Sequence, residues 1–229
     1  KIIDEYVQLG GNRIYFSPNA GDPLVDVTLV EKAEYARSIG IKYIGMITNG
    51  ILFNRKDVYK ELMPLVDNIG VSLPGLDRDA YKRLFGVDKA STVENNLMLM
   101  ANEKKDKGLN TEILLLFRID RPFQDVMQDD GMQNIKPFID DGTIKIDLDD
   151  ILTEVDDWCG QIKESNLPGL MTLEKRKHND KIEPCSRLYS DLAILPDGTA
   201  KICASRYLKT HYDDLVIGDL KHSTIDKTF

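Results

Sequence analysis

Glu112-Ile113-Leu114-Leu115-Leu116-Phe117-Arg118 sets five apolar residues in a row between two charged ones. A run that short and that continuous reads as a strand covered on both faces, as in a parallel sheet. The same unit recurs on either side of it. Upstream, Val66–Leu73 breaks at Pro74-Gly75, Tyr43-Ile44-Gly45-Met46-Ile47 breaks at Thr48-Asn49-Gly50, and Arg13-Ile14-Tyr15-Phe16 breaks at Pro18-Asn19-Ala20-Gly21-Asp22-Pro23. Downstream, Ile144–Leu148 is a fifth strand. The intervening stretches carry helical spacing. Thr28–Ser38 places Val30, Ala33, Tyr35 and Ala36 and ends at Gly40, and 55–66 lines up Val58, Leu62 and Leu65. Ser91-Thr92-Val93-Glu94 matches a capping box opening a helix to about Lys107, and a further helix falls around 122–139.

Strand, loop and helix in repetition predict an α/β fold, a parallel sheet with right-handed crossovers. Five strands are too few for a closed eight-stranded barrel, which leaves a doubly wound sheet or a partial (β/α) barrel. In either case ligands meet the loops after the carboxyl ends of the strands. Here those loops are Asn19–Pro23, Thr48–Gly50, Leu73–Gly75 and the stretch after Arg118.

Past residue 150 the pattern changes. Trp158-Cys159-Gly160 and a polar, Lys-rich stretch through Asp180 read as a linker, 151–180. Leu188–Leu195 and Thr199–Ala204 read as strands joined by Pro196-Asp197-Gly198, a hairpin signal. Val216-Ile217-Gly218 and Ser223-Thr224-Ile225-Asp226 read as a short strand and the first turn of a helix, giving a small unit over 181–229.

Composition narrows the class. Of 229 residues 42% are hydrophobic and 30% charged, so a packed core is expected. The net charge of −8 argues against a broad surface for nucleic acid or anionic membrane. No apolar run approaches the roughly 20 residues of a membrane helix, and Lys1–Tyr6 lacks the apolar stretch of a signal peptide. Three cysteines fit a reducing, cytoplasmic compartment better than a disulfide framework.

Several groups at these positions bear on chemistry. Cys185 and Cys203 flank the hairpin, which folds the thiols toward each other, an arrangement suited to zinc or an iron–sulfur cluster and equally to two structural cysteines. Cys159 is a weaker third ligand or an ordinary thiol in a packed turn. Gly21-Asp22 pairs backbone freedom with a carboxylate, Asn49 occupies the next strand end, and Ser72 is placed to meet a ligand hydroxyl. Arg118 interrupts an apolar strand, so it is either salt-bridged within the fold or a clamp on a ligand. His178, His211 and His222 lie in polar stretches without ligand spacing, and no phosphate loop or nucleophile elbow is present.

Taken together these pieces resemble the radical S-adenosylmethionine enzymes with a SPASM or twitch-type auxiliary iron–sulfur domain. Gly21-Asp22-Pro23 is similar to that family's Gly-Gly-Glu-Pro loop, and Thr48-Asn49-Gly50 to its Thr-Asn-Gly. Val71-Ser72-Leu73-Pro74-Gly75-Leu76-Asp77 resembles its Ser-Leu/Ile-Asp/Pro-Gly strand end. Cys185, twelve residues, Gly198, four residues and Cys203 match the opening half of the SPASM signature, and Ile217-Gly218-Asp219-Leu220 resembles the next segment of that domain.

The resemblance implies a partial barrel over 1–150 followed by the start of a SPASM/twitch-like domain over 181–229. It implies an oxidoreductase- or transferase-type enzyme that reductively cleaves S-adenosylmethionine and abstracts a substrate hydrogen through a 5′-deoxyadenosyl radical. Gly21 and Asp22 would contact the methionine amino group, and Asn49 would be a further contact to the cofactor. Ser72 would meet the ribose or carboxylate, Arg118 the carboxylate, and Cys185 and Cys203 an auxiliary [4Fe–4S] cluster. The implied partners are a small-molecule or peptide substrate and a reductant such as flavodoxin or ferredoxin, with no nucleic acid and no membrane.

Two departures accompany it. No cysteine precedes Cys159, so the family's Cys-x-x-x-Cys-x-x-Cys loop, which binds the catalytic cluster, is missing, and Asp22 stands where the family carries Glu. The expectation is a chain lacking both ends of a longer enzyme and inactive alone. Two rival readings are a non-redox α/β binding module with a zinc-stabilised hairpin, and a barrel enzyme using Asp22 and Asp120 in acid–base chemistry.

Overall fold

The computed structural model describes residues 1–17, 21–157, 162–174, 185–203, 213 and 215–229. Strands β1 (Arg13–Phe16), β2 (Tyr43–Thr48), β3 (Asn68–Leu73), β4 (Glu112–Arg118) and β5 (Ile144–Leu152) pair in that order, all parallel. A doubly wound sheet reverses its strand order and takes helices on both faces. Sequential order with right-handed crossovers instead puts every connecting helix on one side.

The burial pattern follows that geometry. Ile44, Met46, Ile69, Val71, Leu73, Ile113, Leu115 and Phe117 are buried on the outer face. They pack with Ala33 and Ala36 of α2 (Leu29–Ser38), Leu62 of α3 (Val58–Leu62) and Tyr81 of α4 (Arg78–Phe85). Val93, Leu97 and Met100 of α5 (Ala90–Lys107) and Met132 and Ile135 of α7 (Asp130–Asp140) complete the layer. The opposite face holds the alternate residues, with Tyr15 and Ile47 exposed. Among the described residues the sheet does not close, and a parallel sheet with helices along one face is consistent with a partial (β/α) barrel.

β4 is therefore covered less evenly than its apolar run implies. Ile113, Leu115 and Phe117 are fully buried under helices, whereas Leu114 on the inner face is half-buried. Leu116 is buried there because Gly70 on β3 leaves room: a Cβ at Gly70 would lie 2.8 Å from Leu116 Cδ1. Tyr15 lies over Gly45 in the same way.

Local readings change in four places. Helix α5 begins at Ala90, and no side chain caps it; the carboxylate of Glu94 accepts a bond from Asn134 Nδ2 at 2.7 Å instead of closing a capping box. The helix expected around 122–139 is two, α6 (Phe123–Val126) and α7, separated by Met127–Asp129. Leu188–Leu195 is not one strand: Arg187–Ser190 forms the short helix α8 and only Ala193–Ile194 is extended, as β8. Within 151–180, β6 (Glu154–Val155) pairs in parallel with β7 (Thr172–Leu173), so that stretch carries structure where a plain linker was expected.

β8 joins β9 (Thr199–Lys201) and β10 (Val216–Asp219) in an antiparallel sheet, order β10-β9-β8. The Pro196-Asp197-Gly198 turn forms as read: Asp197 Oδ1 accepts from Thr199 N at 2.9 Å, and Gly198 takes φ +88°. Ala200, Leu220 and Ile225 make a small core there, with Ile225 opening α9 (Ile225–Thr228).

Helix α1 (Ile2–Gln8) has no counterpart in the sequence reading and joins the two sheets. Ile3, Tyr6 and Val7 pack on the large core, while Ile2 and Tyr6 pack on the small one. Glu5 Oε2 accepts from Ile225 N at 2.9 Å, and Lys1 Nζ donates to Leu220 O at 3.2 Å and Ser223 O at 3.1 Å. No helix among the described residues is long and apolar enough to cross a membrane.

Candidate functional site

The carboxyl ends of β1 to β4 lie side by side, and buried polar groups fix the loops that leave them. Asp22 is extended and caps a short 3₁₀ turn, Pro23–Val25, its Oδ1 accepting from Leu24 N at 2.9 Å. Its Oδ2 accepts from Thr48 Oγ1 at 2.8 Å and from Asn49 N at 2.7 Å. One carboxylate thus ties the Gly-Asp-Pro loop to the Thr-Asn-Gly loop. Among the described residues Oδ1 accepts this one bond and keeps capacity for a second donor. Gly21 takes φ +94°, a conformation open to glycine, and among the described residues apart from its chain neighbours nothing lies within 4 Å of where its Cβ would be.

The turn after β2 is closed by its own side chains. Gly50 N donates to Thr48 Oγ1 at 3.0 Å, and Ile51 N donates to Asn49 Oδ1 at 3.0 Å. From α5, Asn96 Nδ2 donates to Gly50 O at 2.7 Å and Ile51 O at 3.1 Å.

The turn after β3 hangs on Asp129. Its Oδ2 accepts from Leu76 N and Asp77 N, each at 3.1 Å, and from Arg121 Nη2 at 2.7 Å. Gly75 sits against it at φ +105°, where a Cβ would come within 2.6 Å of that oxygen. Asp77 then caps α4 through Ala80 N at 2.8 Å.

Ser72 and Arg118 share the inner face. Ser72 pairs with Leu116 across the ladder, and Arg118 follows two residues later on the same side. Ser72 is half-buried; Arg118 donates to Phe117 O at 3.0 Å and has further partners. All five residues singled out as cofactor contacts therefore stand at neighbouring strand ends, with Asp22 and Asn49 in direct contact.

Tyr81 is buried behind these loops with no partner for its hydroxyl among the described residues. Burial, then the Asp22 charge, pushes its ionisation well above the usual phenol range, so the group stays protonated. On the inner face a cavity of about 340 Å³ opens between Tyr15, Tyr43, Ile47 and Glu112, toward the amino ends of the strands. There burial and the neighbouring Tyr15 push Tyr43 up to about 12.

Asp120 is closed off. Its side chain is 3% exposed and pairs with Arg83 Nε at 2.6 Å, and Leu170 N donates to its main-chain carbonyl at 2.7 Å. One oxygen of the Asp120 carboxylate is thus taken by Arg83, and the other is buried with no partner among the described residues.

Cys185 and Cys203 are free thiols, one exposed and one half-buried. Cys203 lies two residues past the end of β9, whereas Cys185 precedes α8 and is eight residues from the start of β8. Cys159 lies outside the described residues, as does Asn19. Among the described residues no group of three or more His, Cys, Asp or Glu side chains is placed to hold a metal ion. Two thiols do not complete the four ligands of a cubane cluster, so the described residues do not fit a whole cluster.

Two positioning groups, Asn96 and Asp129, escaped the sequence reading, as did the buried Tyr81. Asn96 left a trace: it is a polar residue among Val93, Leu97 and Met100 on the buried stripe of α5.

The fold and site thus define an open parallel (β/α) sheet whose strand-end loops are fastened by the carboxylates of Asp22 and Asp129 and the buried amide of Asn96. No family model matches the chain. An uncharacterised protein of Methanocaldococcus jannaschii is 38% identical over 81 residues, 34% of this chain and 28% of that protein. A probable GTP 3′,8-cyclase of Saccharolobus islandicus is 36% identical over 69 residues, 30% of this chain and 22% of that protein. These likenesses are distant and partial, and they span less than a third of either relative.

Proposed function

We propose that this chain is part of a radical S-adenosylmethionine enzyme and that its strand-end loops hold the S-adenosylmethionine. The observation that carries the reading is the contact of Asp22 with Thr48 and Asn49. It joins the two loops that resemble the family's cofactor loops, on adjacent parallel strands. The partial likeness to a probable GTP 3′,8-cyclase supports membership of the same superfamily.

In this reading the residues bind and orient. Gly21 offers main-chain oxygen beside open space, Asp22 supplies fixed negative charge toward an amino group, and Asn49 borders the same rim. Ser72 gives a hydroxyl to the ribose or carboxylate, and the guanidinium of Arg118 faces the carboxylate end. The chemistry that bound S-adenosylmethionine supplies in this family is reductive cleavage followed by hydrogen abstraction from substrate. The ligands of the catalytic cluster are not among these residues, so no step is assigned to this chain alone. Cys185 and Cys203 are proposed as part of an auxiliary [4Fe–4S] ligand set. A small-molecule or peptide substrate and a flavodoxin- or ferredoxin-type reductant belong to the same proposal.

Equilibrium dialysis with radiolabelled S-adenosylmethionine tests the reading. Saturable binding is expected, displaced by S-adenosylhomocysteine and weakened by Ser72→Ala. A chain that shows no saturable binding at millimolar ligand overturns it.

A further inference from the structure

The Thr48–Ile51 turn has every amide from Asn49 to Ile51 spoken for: Asn49 N by Asp22, Gly50 N by Thr48 Oγ1 and Ile51 N by Asn49 Oδ1. Its two carbonyls at Gly50 and Ile51 are met by one side chain, the amide of Asn96, reaching across from α5, 45 and 46 positions further along the chain. Asn96 is 1% exposed, and its own Oδ1 has no partner among the described residues. A buried amide with a stranded acceptor costs stability that an apolar residue on the same stripe would not. An apolar residue, however, cannot donate two hydrogen bonds to the turn. Gly50 is also wedged, since a Cβ there would lie 3.0 Å from Val71 Cγ1 and 3.4 Å from Val93 Cγ1. The turn is thus braced between β3 and α5, with Asn96 as its polar tie and the valines as its floor.

We infer that Asn96 is a positioning residue, which touches no ligand and holds the Asn49–Ile51 segment in the conformation that S-adenosylmethionine binds. The inference rests on the proposed function. Its chemistry is simple: the side chain must present two N–H donors at the length of asparagine. Aspartate keeps the shape and loses both donors, leucine keeps the volume and removes the stranded acceptor, and glutamine keeps the donors one methylene too far out.

The test measures S-adenosylmethionine affinity of the full chain by equilibrium dialysis, at a temperature where circular dichroism shows each protein folded. Asn96→Asp and Asn96→Leu are compared with wild type, with Asn96→Gln, and with Met100→Ala. Met100 is buried one turn further along the same helix, so its truncation loosens α5 without touching the turn. We expect the dissociation constant to rise tenfold or more in the aspartate and leucine variants, the factor that about 1.4 kcal/mol represents. The glutamine variant should fall between these and wild type, and Met100→Ala should bind as wild type does. Amide hydrogen exchange at Gly50 and Ile51 should quicken in the two weak binders alone. Wild-type affinity in Asn96→Leu overturns the inference, as does equal weakening in Met100→Ala, which would make the effect one of helix stability. Should aspartate at 96 prevent folding, the leucine and glutamine variants decide between these outcomes. A wild-type chain that does not bind S-adenosylmethionine sinks the proposed function itself and the inference with it, a failure distinct from tight binding that ignores position 96.

Discussion

Truncating Asp22 to alanine removes the acceptor shared by Leu24 N, Thr48 Oγ1 and Asn49 N. Hydrogen bonds to an ionised group each contribute about 1.5–3 kcal/mol, but the three will not add, because the loop relaxes once its centre is gone. The two amides are only partly buried and regain water. Thr48 is 2% exposed, so its hydroxyl is left facing an emptied pocket. Together these give an expected loss of about 3 kcal/mol, most of it from the stranded hydroxyl. Asp22→Asn can still turn its amide oxygen toward Thr48 and Asn49 and should lose only about 1–2 kcal/mol. Urea denaturation followed by circular dichroism reads both values, with an unchanged m-value showing that only the folded state has altered. A double-mutant cycle with Thr48→Val isolates the cross-loop bond and should return a coupling of about 1–2 kcal/mol. If Asp22→Ala falls within about 0.5 kcal/mol of wild type, the range of an ordinary surface change, the loops are not tied as described.

Asp129→Ala should be at least as damaging, about 3–5 kcal/mol by urea denaturation, because it leaves Arg121 and two amides of the β3 turn without their shared carboxylate. Tyr81→Phe should be neutral or stabilise by about 1 kcal/mol, since it deletes a buried hydroxyl that has no partner among the described residues; a loss above that size would reveal a bond the structure does not contain. The Lys105 ammonium, and after it Thr143, hold the exposed Asp141 carboxyl down at about 2, below its ordinary 3.8. Because its folded value is depressed, Asp141 contributes stability that is complete above about pH 4 and is lost as the pH falls toward 2. Asp141→Asn should therefore flatten the acid limb of the stability profile across that window, lowering stability slightly at neutral pH and leaving it unchanged at the acid end, as an acid titration of urea midpoints would record.

The sheet was legible because strand and helix differ in period. The runs ending at Phe16, Ile47, Leu73 and Arg118 needed only their apolar continuity and the turn residues after them. Which kind of parallel sheet they build was not, since strand order and helix side are tertiary facts that spacing leaves open. Helix α1 was missed because its seven residues divide their apolar contacts between two cores and carry three acidic or polar side chains besides. At Ser91–Glu94 the local signal was present and tertiary structure overrode it: Glu94 found Asn134 on α7, and the N-cap moved two residues back, from Ser91 to Lys89. The site divides along the same line. Gly21, Asp22, Asn49, Ser72 and Arg118 could be picked out because they follow strands. Asn96 and Asp129 reach their loops from 46 and 53 positions away, and nothing local announces such contacts.

Whether the loops after β1 to β4 form one ligand rim is read most directly by titrating the ¹⁵N-labelled chain with S-adenosylmethionine and following backbone amide shifts. A single rim predicts that the shifts cluster at 21–24, 48–51, 72–77 and 118–119, while the opposite end of the sheet, around Arg37, Asp67 and Thr111, stays still. Shifts confined to that opposite end, or a spectrum unchanged at saturating ligand, would contradict it.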